Sequence, residues 1–181
     1  MKKADIGLIG LAVMGENLIM NMESKGFTVA CYNRTTEKVD KFVAGRAKGR
    51  NIIGCHSVKE LADALERPRK VFCMVKAGAA VDAMIDQLLE VLEPGDIIID
   101  GGNSHFPDTI RRTRYVESKG LLYVGTGVSG GAHALRRIRE KSPLRPAAAR
   151  QSIKLSVQRR TLAQARGNIT WLQAGSSTTP C

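Results

Sequence analysis

The chain lacks the features that define several protein classes. Its four cysteines form no C-x-x-C pair and have no close histidine partners at metal-ligand spacing, so we expect no metal site. No apolar stretch approaches the roughly 18 residues of a membrane span, and no charged start with a long apolar run marks a signal peptide. We therefore predict a soluble cytoplasmic protein without a membrane partner, in which Cys31 and Cys73 are buried thiols.

Acidic residues are nearly absent from the last fifty residues. Residues 1–131 carry 18 Lys and Arg against 16 Asp and Glu, whereas residues 132–181 carry 10 against a single acid, Glu140. The net charge of +11 therefore belongs mainly to the second segment, whose scattered apolar residues do not suggest a core. We predict one domain over residues 1–131 and an irregular or disordered basic tail over residues 132–181.

Strand and helix patterns alternate through residues 1–131. This alternation predicts an α/β fold of the Rossmann type, with a doubly wound, mostly parallel sheet. Gly26 is placed for a left-handed helix end, and Ser57 and Glu60 have the spacing of a capping box. The predicted strands are 6–9, 28–32, 71–75, 97–99 and 121–124, and the predicted helices are 14–23, 36–43, 58–65, 80–92 and 108–118.

A glycine turn follows the first strand. Gly10 would make the tight turn, Ala12 is small enough for a phosphate to approach, and Gly15 lets the next helix pack against the sheet. The helix N-terminus would present N–H groups to an anion. The turn predicts a dinucleotide pyrophosphate site; a strand-to-helix turn without a ligand is the alternative.

No acidic residue follows the second strand, where NAD-specific folds usually carry one. Asn33, Arg34 and Thr35 stand there instead, with Arg34 24 residues beyond Gly10. A guanidinium can stack on adenine and give forked hydrogen bonds to a 2′-phosphate. Thr35 and Lys38 would assist. The pattern favours NADP over NAD, and a solvated surface arginine is the alternative.

Three later strands end in segments that suit a ligand. They are Lys76-Ala77-Gly78, the segment 100–104 (DGGNS) and the segment 125–131 (GTGVSGG). Ligands of such sheets lie over the carboxyl ends of the strands, so we expect all three segments to converge on one edge. Glycines that simply make turns are the alternative.

These segments carry a family resemblance. GLAVMGENLIMNMESKGF, YNRT, MVKAG, DGGNSHFPDT and GTGVSGG resemble the amino-terminal NADP-binding domain of decarboxylating 6-phosphogluconate dehydrogenase, over residues 1–131. The resemblance implies oxidation of 6-phosphogluconate at C3 with hydride passing to NADP. Loss of CO2 then gives ribulose 5-phosphate, in the pentose phosphate pathway. Another β-hydroxyacid dehydrogenase, of the 3-hydroxyisobutyrate type, is the alternative that DGGNS and GVSGG argue against.

The resemblance implies a role for each matching position, from the pyrophosphate through the 2′-phosphate to the nicotinamide. An ordinary surface position is the alternative for Lys76, and the resemblance gives His105 no proton-transfer role. The substrate 6-phosphogluconate is expected at Asn103, Ser129, Gly130 and Gly131. Together with Lys38, the positions expected to hold NADP are Gly10, Ala12, Val13, Met14, Gly15, Asn33, Arg34, Thr35, Val75, Lys76, Ala77 and Asn103.

The resemblance ends at Ala132. It implies that the general base, a lysine in an H-x-x-K pattern, and the general acid, a glutamate, lie in a following helical domain that also forms much of a homodimer interface. From Ala132 onward neither motif occurs, so no catalytic residue is assigned. We interpret the chain as a truncated or frame-altered product that binds NADP with little or no turnover alone.

The basic tail offers a function of another class. Ten Lys and Arg against one acid could attract a nucleic acid or an acidic partner through phosphate contacts. No zinc-binding spacing or RNA-binding aromatic motif accompanies the charge, and Trp171 has no aromatic neighbour for stacking. Nucleic-acid binding is therefore the less favoured interpretation.

Overall fold

Strands and helices alternate along residues 3–128, the part of the chain that the computed structural model describes. The predicted tail and the family-derived positions Ser129, Gly130 and Gly131 lie outside it. The strands are β1 (Ile6–Ile9), β2 (Val29–Tyr32), β3 (Ile52–Cys55), β4 (Lys70–Cys73), β5 (Ile97–Asp100) and β6 (Leu122–Gly125), and the helices are α1 (Val13–Ser24), α2 (Thr36–Ala44), α3 (Val58–Ala64), α4 (Ala79–Leu89) and α5 (Phe106–Glu117).

The strands form one sheet in the order β3-β2-β1-β4-β5-β6. Every neighbouring pair is parallel. β1 lies centrally, where Gly7 pairs with Ala30 on one side and Val71 on the other. The chain winds outward from β1 in both directions, so the crevice between β1 and β4 is the topological switch point. The predicted doubly wound Rossmann-type fold is confirmed.

Helices cover both faces of the sheet, and each face has its own apolar core. Ile9, Ala30 and Ile98 belong to the core that includes residues of α3, α4 and α5. Leu8 and Val29 belong to the core that includes residues of α1 and α2. Successive strand side chains point to opposite faces, so these strands need apolar residues at every position. This requirement explains the short uninterrupted apolar runs in the sequence.

Several local expectations are confirmed by the structure. Gly26 has φ +87° just after α1, and the Ser57 hydroxyl accepts a hydrogen bond from the Glu60 N–H at 3.0 Å. The Glu60 carboxylate accepts a hydrogen bond from the N–H of His56 at 2.7 Å. Cys31 and Cys73 are buried, as predicted, and burial raises the pKa of each thiol to about 12.

Two expectations about the elements were wrong. Strand β3 was not predicted, because its four residues include Gly54 and follow a turn-rich stretch. Gly54 is required there, since a Cβ would lie 2.9 Å from the side chains of Val39 and Val43 on α2. The predicted strand 71–75 runs instead from Lys70 to Cys73, so Met74 and Val75 belong to the following loop.

Candidate functional site

The glycine turn, residues 10–15, joins β1 to α1 in the geometry that its sequence predicts. Gly10 has φ +108°, and a Cβ there would lie 2.3 Å from the Met74 carbonyl oxygen. A Cβ on Gly15 would lie 1.9 Å from the Gly10 carbonyl oxygen. Both contacts are with backbone, which has little room to move. These glycines let α1 start directly beside the switch point.

The N-terminus of α1 suits an anion. Its N-cap residue is Ala12, whose methyl side chain offers no acceptor to the first-turn N–H groups. Val13, in the first turn, is 69% exposed. The nearby acid Glu16 is paired with Arg46 at 2.6 Å. The first turn therefore combines accessible backbone donors with a neutralised carboxylate, the arrangement that phosphate requires.

Asn33 links the glycine turn to the end of β2. Its Oδ1 accepts a hydrogen bond from the Leu11 N–H at 3.0 Å, and its Nδ2 donates to the Thr35 carbonyl at 3.0 Å. The sequence pattern after β2 predicts Asn33 at the 2′-phosphate. The structure places it beside the turn, with both polar atoms of its amide engaged within the chain. Asn33 thus fixes the loop that carries Arg34.

Cationic side chains surround this edge without internal partners. Arg34, Lys38 and Lys76 are exposed, and none of their side chains makes a hydrogen bond or ion pair with residues 3–128. The side chain of Thr35 does not cap α2, so its hydroxyl is unused by the helix. The positions predicted from charge are therefore accessible, with their donors directed to no carboxylate in the described part of the chain.

The described parts of the three later segments, which end at residue 128, meet at the same edge, as expected. The N–H of Gly101 donates to the Cys73 carbonyl at 2.9 Å, which joins the ends of β4 and β5. The N–H of Thr126 donates to the Asp100 carbonyl at 2.8 Å, which joins the ends of β5 and β6. Val75, Ala77 and Asn103 lie in these loops, and Asn103 is exposed.

A buried polar cluster beneath these loops was missed by sequence reasoning. We call it the Asp100 network; Asp100, Arg112 and Tyr123 are each 1% exposed. Two features of the sequence could have revealed this network: an aspartate that ends the apolar run IIID, and an arginine at a core position of α5. The members are Asp82, Asp100, Ser104, Arg112 and Tyr123.

One H-x-x-K spacing does occur in the described domain, at His56 and Lys59, and both side chains have other partners. The His56 ring contacts Asp40 at 2.8 Å, and that hydrogen bond raises the pKa of His56. Lys59 pairs with Asp63 at 2.8 Å on the exposed side of α3.

Within residues 3–128 no group of three or more His, Cys, Asp and Glu residues could hold a metal ion. None of the helices in that part of the chain is long and apolar enough to cross a membrane.

The strand order, the switch point and the glycine turn define a Rossmann-type dinucleotide-binding domain. A family described as the NAD binding domain of 6-phosphogluconate dehydrogenase matches residues 5–138. The chain belongs to this family. The match continues seven residues beyond Gly131, the residue at which the composition of the sequence predicts the end of the domain.

Curated relatives agree with this assignment. The chain is 68% identical over 133 residues to 6-phosphogluconate dehydrogenase, decarboxylating, of Cunninghamella elegans, covering 74% of this chain and 27% of the relative. It is 62% identical over 134 residues to the enzyme of the same name from Candida albicans, covering 74% and 26%. The chain thus matches about a quarter of the length of these relatives.

Solved structures give the same fold. Plasmodium falciparum 6-phosphogluconate dehydrogenase, described as apo and in complex with NADP+ and with 6-phosphogluconate, is 45% identical with a TM-score of 0.67, covering 73% of this chain and 28% of that one. A Mycobacterium tuberculosis 3-hydroxyisobutyrate dehydrogenase is 22% identical with a TM-score of 0.60, covering 72% and 42%. This second likeness shows the shared fold alone.

Proposed function

We propose that this chain binds NADP across the carboxyl edge of its sheet, with the 2′-phosphate at the loop that follows β2. The observation that carries the proposal is Arg34, exposed and without a carboxylate partner in residues 3–128, beside the glycine turn to which Asn33 ties its loop. A 2′-phosphate would gain charge-assisted hydrogen bonds there, and a free ribose 2′-OH would not.

The residues present fit this cofactor. The glycine turn packs its backbone so closely that any Cβ would clash, which lets α1 start at the switch point, and Ala12 leaves the first turn of α1 without a side-chain cap. Thr35 and Lys38 stand next to Arg34 for the 2′-phosphate. Val75, Lys76, Ala77 and Asn103 lie toward the nicotinamide end. When bound, NADP would supply the hydride acceptor.

We further propose that this domain serves the oxidative decarboxylation of 6-phosphogluconate in a cytoplasmic protein. The family match and the relatives' names support this reaction. Substrate would meet Asn103 and the segment Ser129, Gly130 and Gly131. The 181 residues alone are proposed to bind without turnover, because a missing general base commonly lowers a rate by roughly 10² to 10⁴. A homodimer would form through residues beyond this domain.

Calorimetry on the full 181-residue chain tests the cofactor proposal. We expect NADP to bind about a hundredfold more tightly than NAD, since two charge-assisted hydrogen bonds to the 2′-phosphate give a preference of that order. An absorbance assay for NADPH with 6-phosphogluconate runs in parallel and should show no turnover. Equal binding of both cofactors would contradict the assigned role of Arg34. Robust turnover would contradict the proposal that the 181 residues alone bind the cofactor without turnover.

A further inference from the structure

The carboxylate of Asp100 accepts hydrogen bonds from the residues on both sides of Asn103. Asp100 Oδ1 accepts a hydrogen bond from the Gly102 N–H at 2.9 Å, and Asp100 Oδ2 accepts one from the Ser104 hydroxyl at 2.6 Å. The exposed Asn103 stands between these two residues. Its backbone position is therefore set by Asp100, although Asp100 itself does not reach the surface.

Asp100 is in turn fixed within the sheet. It ends β5, pairs with Cys73 on β4 and Gly125 on β6, and is 1% exposed. The Tyr123 hydroxyl donates to Asp100 Oδ2 at 3.0 Å. Burial, followed by the charge of Asp100, raises the pKa of Tyr123, so the phenol stays a donor at all ordinary pH values. Hydrogen bonds to a carboxylate in such a dry setting are strong and hold their geometry.

Arg112 connects this loop to the loop after β4. Its Nη1 donates to the Ser104 hydroxyl at 3.2 Å, and its Nη2 donates to the Gly78 carbonyl at 3.0 Å. Asp82 accepts from Nε at 2.9 Å and from Nη2 at 3.1 Å, which fixes the plane of the guanidinium. One rigid, planar group thus touches both the loop after β4 and the loop after β5.

We propose that Asp100, Ser104, Arg112 and Tyr123 are positioning residues that hold Asn103 and the Lys76-Ala77 segment at the separation that the nicotinamide half of the cofactor requires. This inference rests on the proposed function, which places the nicotinamide over these loops. None of the four residues needs to touch the cofactor. A role in stability alone would leave the relative affinity for the two halves of NADP unchanged.

The test uses two ligands that separate the halves of the cofactor. Adenosine 2′,5′-bisphosphate carries the 2′-phosphate and lacks the nicotinamide, so its affinity reports the fold and the adenine end. We expect Ser104→Ala and Tyr123→Phe each to weaken NADP binding by about tenfold, the worth of one buried hydrogen bond, and to leave bisphosphate binding unchanged. Ser104→Thr retains the hydroxyl and should restore NADP affinity. Calorimetry on the full chain measures both ligands.

Matched controls exist on α5 and just beyond it. The Tyr115 hydroxyl also donates to a carboxylate, that of Asp86 at 3.1 Å, but on an exposed surface. The Ser118 hydroxyl donates to the Tyr115 carbonyl at 2.7 Å. Tyr115→Phe and Ser118→Ala remove the same chemical groups outside the Asp100 network and should bind both ligands as the wild type does.

The possible results separate the two proposals. If the wild type binds neither ligand, the proposed function is wrong. If it binds both equally, or if Ser104→Ala and Tyr123→Phe retain the wild-type ratio of the two affinities, the positioning role is wrong and NADP binding stands. Selective loss of NADP affinity in both variants, with rescue by Ser104→Thr, supports the positioning role.

Discussion

The two halves of the carboxyl edge are built differently. On the side of β1 and β2, the site consists of a glycine turn, an open helix N-terminus and exposed cations such as Arg34, with one linking side chain, Asn33. On the side of β4 and β5, loop positions depend on a buried network centred on Asp100 and Arg112. In the proposed complex the first half would contact the cofactor directly, whereas the second half would contact it through loops that other residues hold.

The proposed cofactor gives a physical reason for this difference. A pyrophosphate and a 2′-phosphate are charged, so backbone N–H groups and a flexible cation can bind them with modest positional accuracy. A nicotinamide must be held within a fraction of an ångström for hydride transfer, because reacting atoms need a near-attack geometry. A buried, fully hydrogen-bonded network supplies that rigidity, whereas surface loops do not.

The largest expected effect lies at the glycine turn. Gly15→Ala places a Cβ 1.9 Å from the Gly10 carbonyl oxygen, so α1 must move, and we expect a loss of roughly 2–4 kcal/mol in the free energy of unfolding. Urea denaturation followed by circular dichroism measures this loss. Gly49→Ala is the control: Gly49 has φ +74° but nothing within 4 Å of its Cβ position, so only backbone strain of about 1 kcal/mol is expected. Equal losses in both variants would refute the steric explanation.

The second largest expected effect is on NADP affinity, and it tests whether Arg34 binds the 2′-phosphate directly through its charge. Arg34→Ala should weaken NADP binding by about a hundredfold and NAD binding much less, because the charge-assisted hydrogen bonds go to the 2′-phosphate and NAD retains only the stacking on adenine. Calorimetry with both cofactors measures the change. Arg114→Ala removes the same charge from the last turn of α5, at the opposite edge of the sheet, and should alter neither affinity. A similar loss for NAD would show that Arg34 acts on the fold instead.

A smaller effect probes how the second half is packed. A Cβ on Gly101 would lie 2.0 Å from Phe72 Cε1 and 2.8 Å from Met74 Sδ. These contacts are with side chains, which can shift, so we expect Gly101→Ala to destabilise the fold by about 1–3 kcal/mol. Phe72→Leu should relieve part of that cost in the double variant. A double-mutant cycle by urea denaturation measures the coupling, and strict additivity would argue against this contact.

The smallest effect concerns acid stability. Hydrogen bonds from Arg112, and then from Arg111, lower the pKa of Asp82 from 3.8 to about 2. A lowered pKa in the folded state stabilises the fold above pH 3.8, and the stabilisation is lost as the pH falls toward about 2. The loss in the free energy of unfolding that Asp82→Asn causes should therefore become smaller as the pH falls over this range. Urea denaturation at each pH measures it. Thr113→Ala is the control, because the Thr113 hydroxyl donates to the Thr109 carbonyl at 2.8 Å and neither group titrates in this range.

Much of the architecture followed from local sequence. Apolar runs gave five of the strands that the structure describes, and the Ser57 cap and Gly26 marked helix ends that the structure confirms. Strand β3 escaped because its pattern is short and includes Gly54, which is there for packing against Val39 and Val43. A glycine that is needed for packing against a neighbouring helix leaves no periodic signal, so local patterns miss it.

The sequence by itself determined the glycine turn and the missing acid after β2, because these features depend on residue types close together in the chain. The tertiary structure alone decided that Asn33 ties the turn to the Arg34 loop and that Arg112 spans two loops from 8 and 34 residues away. Such contacts join residues that only the sheet order brings together. Their energy comes from burial and exact hydrogen-bond geometry, which no local pattern records.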